Sequence, residues 1–312
     1  MTRAFVFPGQ GSQAVGMGRA LAEAFGAARR VFEEVDEALS QRLARLMFEG
    51  PESELTLTEN AQPALLAVSM AVLRVLEEEG GLDLAKSAAF VAGHSLGEYT
   101  ALAAARAFSL ADAALLLKRR GQAMQRAVPV GEGAMAALLG LDLEAARAIA
   151  AEAAEGEVVS AANDNAPGQI VLSGHKAAVE RAVAIAAARG KKAIPLPVSA
   201  PFHCALMAPA AAAMGEALTQ VRLGAPAVPL VANVTAAAES RPEVIRQLLV
   251  EQVTGLVRWR ESILYMKERG VDAILEIGAG KVLSGLARRI DRDLAASAVQ
   301  TPDEIETFVK SL

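Results

Sequence analysis

Ser95 lies in Gly93-His94-Ser95-Leu96-Gly97, a Gly-x-Ser-x-Gly pattern that follows the apolar run Ala88 to Ala92. On a strand-to-helix turn this spacing exposes the serine hydroxyl, because the small flanking residues let backbone segments approach closely. The start of the following helix favours developing negative charge. A serine hydroxyl is a weak nucleophile near neutral pH and needs a base, most often histidine. Three histidines are available. His94 adjoins the serine and projects away from its hydroxyl on such a turn, and His175 follows a strand in mid-chain and reads as structural or surface. His203, in Pro201-Phe202-His203-Cys204, remains as the base. No carboxylate stands out as a third member, which leaves a backbone or amide oxygen to orient His203. The chemistry is acyl transfer through an ester on Ser95, with water or another nucleophile as acceptor.

Two glycine-rich segments invite a phosphate-binding reading and do not meet it. Phe7-Pro8-Gly9-Gln10-Gly11-Ser12-Gln13 lacks the Gly-x-Gly-x-x-Gly spacing, and Gly278-Ala279-Gly280-Lys281 lacks the upstream glycine of a Walker motif. Both read as turns at strand ends. A nucleotide-binding module is therefore the weaker class beside an acyl-transferring enzyme or a serine thioesterase.

The elements that must carry Ser95 and His203 follow from periodicity and punctuation. Phe5-Val6-Phe7 predicts a buried strand stopped by Pro8-Gly9, with a helix over 19–39 after the glycine-rich loop. Pro63 is expected in the first turn of a second helix that Gly80-Gly81 ends. Another helix begins near Ser109 and runs towards Val128. Beyond Pro129 and Gly131 the pattern becomes strand 134–139, helix 144–154, strand 158–162, a turn at Asn165-Ala166-Pro167-Gly168, strand 169–173, helix 176–189 and strand 193–198. That βαββαβ order is the ferredoxin-like arrangement. Strands near 228–232 and 271–277 belong with the first part. The expected organisation is an α/β chain in which residues 1–128 and 199–312 form a large subdomain and residues 129–198 a ferredoxin-like insertion.

Composition fits this reading. With 312 residues, 53% hydrophobic and 21% charged, the chain can bury a large core and is not disordered. A net charge of -5 argues against nucleic acid or an anionic membrane as partner. Cys204 is the one cysteine, which excludes an intramolecular disulfide and suits a reducing compartment. No signal peptide is expected, since the N-terminus reaches Gly9 too soon to hold its apolar stretch, and no membrane span, since Arg74 interrupts the apolar run 64–76. The expected location is the cytoplasm.

Taken together, Phe7-Pro8-Gly9-Gln10-Gly11-Ser12-Gln13, Gly93-His94-Ser95-Leu96-Gly97-Glu98, Arg120-Gly121 and Phe202-His203 resemble the malonyl-CoA:acyl carrier protein transacylase family, as far as Gly278-Ala279-Gly280-Lys281. The resemblance implies an α/β-hydrolase-like large subdomain around the ferredoxin-like one. It implies Ser95 as nucleophile, His203 as base, and the backbone carbonyl of Gln252 as the group orienting His203. The backbone N–H groups of Gln10 and Leu96 would form the oxyanion hole. Arg120 would hold the free carboxylate of malonyl, where a guanidinium fork outperforms lysine. Phe202 would crowd an α-methyl branch, and Asn163 and Asn165 would face the acyl group. Malonyl-CoA is then a substrate, holo acyl carrier protein the acceptor, and no metal or redox cofactor is needed. A monomer is implied, and Lys191, Lys192, Arg288 and Arg289 are candidate contacts for the acidic carrier. A discrete acyltransferase of polyketide assembly would share the same site.

Overall fold

In the computed structural model, residues 2–311 are described. Strand β1 (Arg3–Phe7) lies at the centre of a six-stranded sheet with β2 (Phe90–Gly93), β7 (Leu230–Ala232), β8 (Ala237–Glu239), β9 (Ala273–Ile277) and β10 (Ala295–Val299), in the order β10-β9-β1-β2-β7-β8. All pairings are parallel except the edge hairpin β7–β8. The alternation along β1 explains why this strand is central. Phe5 and Phe7 join Leu65, Leu66, Val91 and Leu275 on one face, while Ala4 and Val6 join Ala92, Val231, Trp259 and Ile274 on the other. A parallel sheet covered on both faces is expected to read as a continuous apolar run, as Ala4-Phe5-Val6-Phe7 does.

The second sheet comprises β3 (Gly133–Leu139), β4 (Val159–Ala166), β5 (Gln169–His175) and β6 (Lys192–Pro195), antiparallel in the order β4-β5-β3-β6. Helices Leu143–Ala154 and Lys176–Ala188 cover one face, burying Ile149, Ala150, Ala182 and Ala186 against Leu138, Ile170 and Leu172. This is the α/β-hydrolase-like sheet that the family resemblance implies, with the ferredoxin-like unit that the order of elements predicts. The two sheets are stitched where Val257 meets β4: Val257 N–H donates to Ala162 O (2.9 Å), and Asp164 N–H donates to Val257 O (3.0 Å). Asp164 also pairs with Arg260 at 2.9 Å.

Several boundaries differ from the sequence reading. The helix expected over 19–39 is two, Arg19–Ala24 and Gly26–Leu39, because Phe25 takes an extended conformation (φ -126°, ψ 124°) between them. Pro63 is not in a first turn: its helix runs Thr58–Glu78, and the ring lies in the second turn. Strand β4 continues to Ala166, so the turn is confined to Pro167-Gly168, and β6 stops at Pro195. No helix among the described residues is long and apolar enough to cross a membrane.

Candidate active site

The serine turn is built by exclusion. β2 ends at Gly93 and the helix Gly97–Ala104 begins four residues later. A Cβ on Gly93 would fall 1.9 Å from Gly97 C, and one on Gly97 would fall 2.2 Å from Phe7 O, so any side chain at either position forces the turn open. Between them Ser95 is held at φ 54°, a left-handed conformation that costs roughly 1–3 kcal/mol outside glycine. Asn233 braces that conformation. Its Oδ1 accepts from Ser95 N–H (2.8 Å) and its Nδ2 donates to Gly93 O (2.7 Å).

His203 Nε2 lies 2.7 Å from Ser95 Oγ, and His203 Nδ1 lies 2.8 Å from Gln252 O. A carbonyl can only accept, so Nδ1 carries the proton and Nε2 offers its lone pair to the Ser95 hydroxyl. Burial, assisted by the positive charge of Arg120, pushes the His203 pKa down to about 3, so the imidazole is neutral. The other histidines are engaged elsewhere. His94 Nε2 meets Asn165 Oδ1 at 2.8 Å, and its ring lies 5.7 Å from that of Trp259. Burial lowers the His94 pKa as well. His175 Nδ1 accepts from Val158 N–H (2.9 Å) within the second sheet.

The N–H groups of Gln10 and Leu96 have no acceptor among the described residues. The Gln10 loop is pressed onto the serine turn, since a Cβ on Gly9 would stand 2.8 Å from His94 O. Arg120, on the Leu110–Ala127 helix, is 1% exposed. Its Nη1 donates to Gln62 Oε1 (2.9 Å), and its Nη2 donates to Gln252 Oε1 (2.8 Å) and Ser95 Oγ (3.1 Å). Gln62 Nε2 donates to Thr58 Oγ1 (2.8 Å), whose hydroxyl donates to Gln10 Oε1 (2.8 Å). On the other side Gln252 Nε2 donates to Ser95 O (2.9 Å) and Glu98 Oε2 (2.6 Å). One hydrogen-bond run thus connects the N-terminal loop, the guanidinium, the serine and the residue behind His203. Burial raises the Glu98 carboxyl pKa to about 7.

Gln10, Ser95, Leu96, Arg120, Asn163, Asn165, Phe202 and His203 all line one cleft of about 610 Å³. Gln252 is fully buried beneath it. Lys191, Lys192, Arg288 and Arg289 do not line it; Arg288 donates to Ala296 O, and Arg289 donates to Gln169 Oε1 (2.7 Å). Thr58, Gln62, Glu98 and Asn233 are structural members of the site that sequence reasoning did not assign. Glu98 could have been suspected from its place directly after the serine motif, and Thr58 and Gln62 from their i, i+4 spacing. Nothing around Asn233 signals its role. No cluster of metal-ligating side chains occurs among the described residues. Cys204 is buried, with Sγ donating to Pro201 O (3.2 Å).

Residues 4–298 match the family model described as acyl transferase domain. The chain is 49% identical over 300 residues to the malonyl CoA-acyl carrier protein transacylase of Escherichia coli K12, covering 96% of each chain. The chain belongs to the malonyl-CoA:acyl carrier protein transacylase family. Solved structures place this transacylase fold with equal clarity. The acyl-carrier-protein S-malonyltransferase of Bartonella henselae superposes with a TM-score of 0.97 at 58% identity, over 100% of this chain and 99% of that one. A malonyl-transacylase in complex with its type II polyketide acyl-carrier protein gives 0.96 at 44% identity, with full coverage of both chains.

Proposed function

We propose that this transacylase moves a malonyl group from malonyl-CoA to the phosphopantetheine thiol of acyl carrier protein, through an ester on Ser95. Ser95 Oγ attacks the thioester carbonyl as His203 Nε2 takes its proton, and the proton then leaves with the CoA thiol. The N–H groups of Gln10 and Leu96 receive the tetrahedral oxyanion, where each such donor is worth about 3 kcal/mol. In the second half-reaction the carrier thiol gives its proton to His203 and attacks the malonyl ester, and as the ester bond breaks Ser95 Oγ leaves with that proton, returned by His203 Nε2. Gln252 O keeps the imidazole in the required tautomer throughout. No metal or redox cofactor takes part.

One observation carries the choice of malonyl: a buried guanidinium lies 3.1 Å from the nucleophilic oxygen. An acyl group on Ser95 that ends in a carboxylate meets Arg120, whereas acetyl has nothing to offer it. Phe202, on the cleft wall, favours malonyl over branched analogues, and Asn163 and Asn165 border the acyl position. Residues 129–198 act as the inserted unit that brings those asparagines over the serine. The acceptor is an acidic carrier protein approached through basic surface residues, with Lys191, Lys192, Arg288 and Arg289 as candidates. The enzyme works as a cytoplasmic monomer supplying fatty acid elongation. Service to a polyketide carrier is the second reading, favoured by the likeness to a transacylase solved with such a carrier.

The test is incubation with malonyl-, acetyl- and methylmalonyl-CoA, intact mass of the acylated chain, then a chase with holo carrier protein or water. A malonyl adduct absent from Ser95→Ala and discharged to the carrier supports the reading. An adduct that persists on Ser95→Ala, or one discharged only by water, overturns it.

A further inference from the structure

Arg120 is a buried cation with no carboxylate paired to it directly among the described residues. The acidic group tied to it stands one amide away. Arg120 Nη2 donates to Gln252 Oε1 at 2.8 Å, and Gln252 Nε2 donates to Glu98 Oε2 at 2.6 Å. Glu98 is 0% exposed, its Oε2 also receives Asn233 N–H (3.4 Å), and its Oε1 has no partner. The helix carrying Glu98 is packed by the Thr58–Glu78 and Leu110–Ala127 helices and by β1, β2 and β7. Of the titratable groups on these elements, Arg120 faces Glu98; on its own helix the neighbour is Tyr99, whose phenol is driven up by burial and stays neutral.

We propose that Glu98 is the internal counter-charge of Arg120, and that it takes a proton from solvent when a carboxylate-bearing acyl group reaches the guanidinium. This rests on the reading of Arg120 as the malonyl carboxylate site. One buried cation and one buried anion leave the region near neutrality. A second anion arriving from the substrate leaves a surplus negative charge where water cannot screen it. The carboxyl that titrates near neutral pH relieves the surplus. Oε1 is open to receive the proton while Oε2 keeps its bond to Gln252, so the hydrogen-bond run behind His203 is undisturbed. Acetyl brings no charge and calls for no proton. Glu98 is therefore a positioning and charge-compensating residue that sets the selectivity of Arg120 without touching substrate.

The experiment uses full-length Ser95→Ala, which binds acyl-CoA without turnover. Calorimetric titration with malonyl-CoA and acetyl-CoA, in two buffers of different ionisation enthalpy, counts protons exchanged. At about pH 7.5, malonyl-CoA should take up about half a proton or more beyond acetyl-CoA, and the difference should vanish in Ser95→Ala/Glu98→Gln. Infrared difference spectra of Ser95→Ala give a second readout that needs no Glu98 variant. A protonated-carboxyl band that shifts with isotope-labelled glutamate should appear with malonyl-CoA alone. Tighter malonyl-CoA binding with no excess uptake and no band overturns the inference, as does uptake that survives Glu98→Gln. Malonyl-CoA binding no tighter than acetyl-CoA overturns the carboxylate reading beneath it.

Discussion

Replacing Arg120 by methionine keeps an apolar stem of similar length and removes the guanidinium. Of the five N–H donors, three are committed in the free enzyme, to Gln62, Gln252 and Ser95 Oγ. Nε–H is buried without a partner, and one N–H of Nη1 is uncommitted. Once Ser95 Oγ is esterified, its donor is released as well, so a malonyl carboxylate finds at least two. Hydrogen bonds to charged groups are worth about 1.5–3 kcal/mol each, which places the loss for malonyl at roughly 3–6 kcal/mol, or at least about 100-fold in kcat/KM. Acetyl loses only the 3.1 Å contact on the nucleophile, a matter of about 1 kcal/mol. That loss is partly offset, because removing the nearby positive charge raises the basicity of His203. Quenched-flow acylation by malonyl- and acetyl-CoA, read by intact mass, should show the malonyl-to-acetyl ratio falling by about 100-fold. Equal losses for both donors refute carboxylate recognition by Arg120.

Two further outcomes follow from the same geometry. Because the folded-state pKa of His203 is depressed to about 3 from 6.5, the unfolded chain binds a proton there that the folded chain refuses. Stability from this residue is complete above about pH 6.5 and is lost as pH falls towards 3, by up to about 4–5 kcal/mol. Glu98, raised from 4.5 to about 7, acts with the opposite sign, adding stability as pH falls from 7 to 4.5. Denaturant titrations of His203→Gln should therefore lose less stability between neutral and acid pH than the parent does; parallel curves contradict the assignment. Phe202→Ser should shift the malonyl-to-methylmalonyl ratio of kcat/KM by about tenfold towards the branched donor, the range set by one methyl group. An unchanged ratio removes Phe202 from donor selection.

What the sequence revealed depends on whether function resides in side-chain type or in backbone geometry. The Gly93 and Gly97 pattern announces the serine turn because the steric demand is local, and the scarcity of histidine isolates His203. The group that orients His203 is a main-chain carbonyl, which any residue could supply, so Gln252 was reachable only through family resemblance. Asn233 is 138 positions from Ser95, and its bracing role exists only once β2 and β7 pair. The strands were found where both faces are buried, as in β1. Two edge strands were missed, the three-residue β8 and the half-exposed β10. The break at Phe25 was hidden because both flanking segments have helical periodicity.

The hydrogen-bond run from Gln10 through Thr58, Gln62, Arg120 and Gln252 to Glu98 has a bearing on how such an enzyme can change over generations. Each member is a donor or acceptor whose sense is set by the next, so one replacement alters what its neighbours require. Substitutions along the run are consequently epistatic: two changes together can restore a polarity that either one breaks. The polarity around Arg120 is thus inherited as a block spanning five stretches of chain, those of Gln10, of Thr58 and Gln62, of Glu98, of Arg120 and of Gln252.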